Sequence, residues 1–167
     1  VAVNQAVLQS ALHRCKEVTL DIDATEIIAD KTSAQWTYNK NKGFMPMVGH
    51  IAQTGQIVAA DFREGNVPPA QDNLAFIRQC QQALPEGCTL NALRIDSAGY
   101  QTKIIAYCDE HGIDYAIRAK SSASMRAQFE AASDSDWQPL IDKKGEPING
   151  EDTYRTSFCI GDYEKAF

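Results

Sequence analysis

The chain has 167 residues, 44% of them hydrophobic and 23% charged, with 22 acidic side chains against 16 Lys and Arg and a formal net charge of −6. That length suits one domain with a real hydrophobic core, and the composition is that of a folded globular protein. The acidic balance excludes a uniformly basic nucleic-acid-binding module, whose grip comes from Lys and Arg neutralising phosphates, but it leaves room for a metal-dependent site, which needs carboxylates.

The longest apolar runs, such as Ile104-Ile105-Ala106, are far too short to cross a bilayer, so no membrane partner is expected. No charged-then-apolar leader is read at the start. The five cysteines, Cys15, Cys80, Cys88, Cys108 and Cys159, are odd in number and widely spread, with no Cys-x-x-Cys pair. They read as reduced thiols in a cytosolic protein.

Residues 1–16 space Val3, Val7, Ala11 and Cys15 helically, flanked by Leu8 and Leu12. The pattern opens without a capping residue, as if continued from an upstream region. Val18, Leu20 and Ile22 then alternate as in a strand, which puts Asp21 and Asp23 on one face. A polar stretch, Asp30 to Gly43, reads as a link. It holds the one basic, aromatic cluster, Trp36, Tyr38, Lys40 and Lys42, for which a solvated loop is the plain reading and base stacking or phosphate contact the sharper one. Two further strands, Phe44–Ala52 and Gln56–Phe62, are joined by Gln53-Thr54-Gly55, a hairpin signal.

Beyond Val67-Pro68-Pro69 the periodicity becomes helical through Ala70, Leu74, Ile77, Gln81 and Leu84, until Pro85-Glu86-Gly87 stops it. A strand over Leu90–Ile95 ends on Asp96. A helix over Gln101–His111 ends at Gly112. A short strand at Tyr115–Ile117 and a helix over Ser121–Ala132 follow, then turn-rich sequence and one more strand over Thr153–Ile160. The order predicts an α/β fold with a mixed sheet, antiparallel on one side and parallel on the other.

Two segments carry chemistry. In Leu20-Asp21-Ile22-Asp23-Ala24-Thr25, two carboxylates share one face of an apolar strand, where they repel unless a cation or proton relieves them; the alternative is an exposed strand end. In Leu93-Arg94-Ile95-Asp96-Ser97-Ala98-Gly99, an Asp ends a strand at a turn into a helix, a place where ligand groups collect or where an Asp merely caps. Together, two strand-end carboxylates in one sheet suit Mg²⁺ or Mn²⁺. His13, His50 and His111 have no zinc-ligand spacing.

From Val18 to Lys120 the chain resembles the catalytic domain of DDE-type insertion-sequence transposases, specifically the insertion sequence 1380 group. Leu20-Asp21-Ile22-Asp23-Ala24-Thr25 is similar to that family's first-strand motif, and Arg63-Glu64-Gly65-Asn66-Val67 to the stretch after its third strand. Arg94-Ile95-Asp96-Ser97-Ala98-Gly99-Tyr100 is similar to the block around the second catalytic Asp, and Gly112-Ile113-Asp114-Tyr115 with Ala119-Lys120 to the next strand.

The resemblance implies a ribonuclease H-like fold and two-metal phosphoryl transfer for DNA cleavage and strand transfer. It makes Asp23 and Asp96 the first two catalytic, metal-binding acids, with Asp21 an auxiliary metal candidate and Arg63 and Asn66 possible positioning groups. It implies two Mg²⁺ or Mn²⁺ ions, transposon-end and target DNA as partners, a homodimer in the full-length protein, and a bacterial cytoplasmic location at the nucleoid.

The implied layout is an N-terminal helix over 1–16, a partial catalytic core over 17–132 and the start of a β-rich insertion over 133–167. The third acid, a Glu on a helix, is expected beyond Phe167; Glu164 stands too early for it. On that basis the piece is expected to be inactive alone. Two rivals remain. One is a haloacid dehalogenase-like phosphatase using Asp21 as nucleophile and Asp23 as acid/base, which requires a parallel crossover after the first strand. The other is a non-catalytic, transposase-like binding module.

Overall fold

The computed structural model describes residues 2–156, 158–160 and 163–165, with side chains described over 4–156. Val3, Cys159 and Glu164, singled out above, therefore have side chains outside the described set, and Ser157 lies outside it altogether. The chain divides into two compact units, Val1–Ala119 and Lys120–Phe167.

The first unit is built on β1 (Glu17–Ala24), whose alternation is the expected one: Val18, Leu20 and Ile22 are buried, while Asp21 and Asp23 point the other way. β5 (Met47–Ile51) pairs antiparallel with β1, and β6 (Ile57–Asp61) antiparallel with β5. The turn between them closes through Gly55, at φ 74°, whose N–H donates to the Ile51 carbonyl at 2.7 Å. Only a residue without Cβ takes that conformation at no steric cost.

After helix α2 (Asn73–Ala83) the chain returns as β7 (Thr89–Ile95), parallel to β1 on its other side. Helix α3 (Thr102–His111) then leads to β8 (Asp114–Ile117), parallel to β7. Gly112 ends α3 at φ 63°, and Ile113 N–H reaches back to the Cys108 carbonyl at 2.8 Å. The five-stranded sheet has the order β6–β5–β1–β7–β8, three antiparallel strands followed by two added in parallel. This is the mixed, ribonuclease H-like arrangement expected.

One apolar cluster joins the sheet to its helices through Leu20, Ile51, Ile77, Leu93, Ile104 and Cys108. Helix α1 (Ala2–Ala11) adds Leu8, and Leu12 follows it; both are essentially inaccessible. Burying such side chains stabilises by roughly 1.5–3 kcal/mol each. Val7, read as part of the buried stripe, is 49% exposed. The core face of this segment runs through Leu8 and Leu12, one position on.

The link over Asp30–Gly43 also differs from expectation. With its flanks it folds into a small sheet of β2 (Ile27–Ile28), β3 (Gln35–Trp36) and β4 (Lys42–Phe44), in the order β2–β4–β3. Strands of two or three residues are too short to show a period of two. Their support is polar instead: the Glu26 carboxylate accepts from Thr37 Oγ1, from Asn39 Nδ2 at 3.1 Å and from Asn41 Nδ2 at 3.2 Å.

The second unit opens with α4 (Ala123–Glu130), whose first turn is capped by Ser122 accepting from Met125 N–H at 3.1 Å. An antiparallel hairpin follows, β9 (Gln138–Ile141) and β10 (Pro147–Thr153). Asp142 Oδ1 shapes its turn by accepting from Lys144 and Glu146 N–H groups. β11 (Phe158–Ile160) and β12 (Tyr163–Lys165) form a second antiparallel pair.

The single strand expected over Thr153–Ile160 is thus divided, one strand ending at Thr153 and another starting at Phe158. Every residue of β9 and β10 is exposed, so neither strand carries a buried alternation to read. Among the described residues no helix is long and apolar enough to cross a membrane.

Candidate active site

Three parallel strands run level with one another near their carboxyl ends. Ile22 of β1 pairs with Ile95 of β7, and Ile95 with Ile117 of β8. The residue after each is Asp23, Asp96 and Arg118, all three exposed. These carboxyl ends are where α/β sheets place ligands. Asp21, Asp23, Arg94, Asp96 and Arg118 line one broad, open cleft floored by Ile22, Ile95, Ala116 and Ile117.

Each carboxylate has a distinct environment. Asp23 accepts a long hydrogen bond from Thr25 Oγ1, at 3.4 Å. Asp96 is extended, with φ −68° and ψ −167°, and its Oδ1 accepts from Ala98 N–H at 2.8 Å, capping a single 3-10 turn over Ser97–Gly99. Asp21 is held most firmly. Arg94 Nε donates to its Oδ1 and Arg94 Nη2 to its Oδ2, and His50 Nε2 lies 3.4 Å from Oδ2. The strand register dictates this row, because Asp21 pairs with His50 on β5 and with Arg94 on β7. The Arg94 hydrogen bonds hold the Asp21 carboxyl below its ordinary pKa; they outweigh the opposing effect of burial, and the charges of Arg94 and His50 add to them.

Behind the cleft, the turn carrying Asp96 is tied to the start of α2. The Ala98 carbonyl accepts from the fully buried Asn73 Nδ2 at 3.2 Å and from Gln101 Nε2 at 2.6 Å. Gln101 Nε2 also reaches the Ala70 carbonyl at 2.9 Å. Gly99 sits so close to Ile95 that a Cβ there would meet its side chain.

The structure therefore brings Asp21, Asp23 and Asp96 to one cleft. It does not bring Arg63 or Asn66 there. Arg63 is buried, donating from Nε to the Met45 carbonyl at 3.0 Å and from Nη1 to the Gln71 carbonyl at 3.2 Å, and Asn66 is exposed away from the cleft lining. Sequence reading missed His50, Asn73, Gln101 and Arg118. His50 and Arg118 were reachable by counting register outward from Asp21 and Asp96. Asn73 and Gln101 act through backbone carbonyls and leave no pattern.

Two exposed carboxylates level on neighbouring strands suit the oxygen-ligand preference of Mg²⁺ or Mn²⁺. Asp21 fits less well, since both of its oxygens are already engaged. Among the described residues no group of three His, Cys, Asp or Glu side chains is placed to hold a metal ion.

Compared with known protein families, residues 2–159 match the family described as "Transposase DDE domain group 1". The chain belongs to that family. No curated protein matches it. Solved structures similar to this DDE-family chain include the HTLV-2 integrase catalytic core domain in complex with magnesium, at 11% identity, covering 67% of this chain and 65% of that one with a TM-score of 0.40. The catalytic core domain of BIV integrase is similar at 16% identity, covering 67% and 61%, with a TM-score of 0.38. The chain spans less than two thirds of the length of either.

The antiparallel partner that follows β1 in the sheet is also incompatible with the phosphatase alternative, which required a parallel crossover there.

Proposed function

We propose that the chain is part of a metal-dependent DNA strand-cleaving and strand-transferring site of the insertion sequence 1380 type, with Asp23 and Asp96 as two of its metal-binding carboxylates. The observation that supports this is their level placement at the ends of adjacent parallel strands, exposed in one cleft. Divalent ions bound there would supply the Lewis acid that activates a water or DNA 3′-hydroxyl and stabilises the leaving oxygen. Asp21 acts indirectly: by clamping Arg94 it holds β1 and β7 in the register that keeps Asp23 beside Asp96. Arg118, which lines the same cleft, would meet a DNA phosphate.

The reading requires a third carboxylate, which we place outside these 167 residues, together with transposon-end and target DNA as substrates, a homodimer as the working state and a nucleoid location in the bacterial cytoplasm. It follows that this chain alone does not cleave DNA. Calorimetric titration with Mn²⁺ tests the site. Binding by the unaltered chain that falls at least tenfold in both Asp23→Asn and Asp96→Asn supports it. Binding that neither change affects, or none at all, favours a non-catalytic module. Plasmid nicking by the chain alone, abolished by Asp96→Asn, would overturn the inactivity.

A further inference from the structure

The small sheet β2–β4–β3 is braced, and one of its faces lies open. Trp36 stands directly opposite Lys42, so the two side chains share a face, and Phe44, two residues beyond Lys42, shares it too. Trp36 is 62% exposed. Phe44 carries the Phe62 ring against it, with centroids 4.9 Å apart, and Phe62 is 68% exposed. Monomeric proteins seldom leave rings of this size clustered in water without a use.

The support beneath is closely packed. Thr37, between Trp36 and Tyr38, is buried and bonded to Glu26. A Cβ on Gly43 would collide with the Ile27 carbonyl, and one on Gly65 would lie 2.5 Å from the carbonyl oxygens of Gln35 and Gly43, so backbones meet here at closest approach. On the face itself the charge is that of Lys42, opposite Trp36 and two residues from Phe44, while Asp61 and Glu64 flank the Phe62–Arg63 pair along the chain.

We propose that the face formed by Trp36, Lys42, Phe44 and Phe62 binds DNA whose bases are unpaired, the aromatic rings stacking on bases while Lys42 meets the backbone. Aromatic platforms interleaved with cations serve single strands in this way because every base has a π-face. The inference rests on the DNA-processing reading above for its substrate, but its surface is separate from the Asp23–Asp96 cleft, which none of these four residues lines.

The test is fluorescence anisotropy on the whole chain in EDTA, with a labelled oligothymidine and an abasic strand of equal phosphate number. Oligothymidine is expected to bind more tightly than the abasic strand. Trp36→Ala and Phe62→Ala, checked for native circular dichroism, should each weaken oligothymidine binding by about tenfold and leave the abasic strand unaffected, whereas Lys42→Ala weakens both. If these effects hold while the unaltered chain binds no Mn²⁺, the cleft reading fails and this one stands. Equal binding of the two strands, or no effect of Trp36→Ala and Phe62→Ala, overturns the proposal. So does a concentration-dependent dimer that Trp36→Ala dissociates, since a second copy would then cover the face.

Discussion

Asp21 and Arg94 stand opposite each other in the parallel pairing of β1 and β7, and both Asp21 oxygens accept from the one guanidinium. The pair answers the repulsion that the sequence poses: two carboxylates share a strand face, and a neighbouring strand supplies the cation for one of them. Because the Asp21 pKa is lowered in the fold, its contribution is fully present above the unfolded carboxyl value of about 4 and is lost as pH falls through the lower folded value. Asp21→Asn should therefore lower Tm in EDTA at neutral pH, and the deficit should shrink as pH drops below about 4. With Arg94 more than half exposed, the effect is modest. A deficit that stays constant down to acid pH would assign it to shape or packing instead of charge.

Asp96 has two separable jobs. Its Oδ1 caps the Ser97–Gly99 turn, which an Asn side chain also does, while its charge is available to the cleft. Asp96→Asn is expected to keep the stability of the parent, and Asp96→Ala to lose about 1 kcal/mol, as for a missing cap. Urea unfolding midpoints read the difference. Equal stability of Ala and Asn would mean that the capping hydrogen bond contributes nothing.

The five-stranded sheet was legible in the sequence because its strands bury alternate side chains: Val18, Leu20 and Ile22, then Leu93 and Ile95, announce both period and face. The same periods put Asp23 and Asp96 each near the end of an apolar strand, whereas their level placement comes from the β1–β7 register, which no period announces. The small sheet was not legible, because Gln35–Trp36 and Ile27–Ile28 are two residues each and every one of the four is exposed. The hairpin of β9 and β10 carried no alternation to read because all its residues are exposed, so only the resemblance pointed to β-rich structure there. Val7 was misplaced because spacing alone did not separate its stripe from the neighbouring one through Leu8 and Leu12. Asn73 was invisible as a support for Asp96, since it works through a carbonyl that any residue would offer.

Gly65 decides whether the small sheet docks on the loop that follows β6. An added methyl would sit 2.5 Å from two carbonyl oxygens, and neither belongs to a flexible side chain that could swing away. Gly65→Ala is expected to destabilise by about 1–3 kcal/mol, the range for forced overpacking, as read by chemical denaturation. An unchanged midpoint would show that the loop relaxes freely.

Cys80 lies wholly within the core, and burial pushes its thiol pKa up to about 12. At pH 8 its thiolate fraction is then about one part in ten thousand, and the thiolate is the reactive species. Thiol labelling of the native chain should leave Cys80 unmodified until urea unfolds it. Prompt native labelling, located at Cys80 by peptide mapping, would show that this part of the core opens readily.

The same sulfur sets the space available on β5. A Cβ at Gly49 would lie 2.6 Å from Cys80 Sγ and 3.4 Å from atoms of Leu20 and Phe76, so strand and helix α2 approach here because Gly49 has no side chain. Gly49→Ala alone should therefore be destabilising by about 1–3 kcal/mol through overpacking. Cys80→Ala alone should also be destabilising, because it leaves a small cavity. Combined, the two changes exchange one sulfur for one methyl at the same contact, and the double variant should be more stable than the sum of the single losses predicts. A double-mutant cycle on denaturation midpoints measures that coupling, expected at about 0.5 kcal/mol or more. Simple additivity would place the strain of Gly49→Ala against Leu20 and Phe76 instead, and so locate the tightest contact between sheet and helix elsewhere.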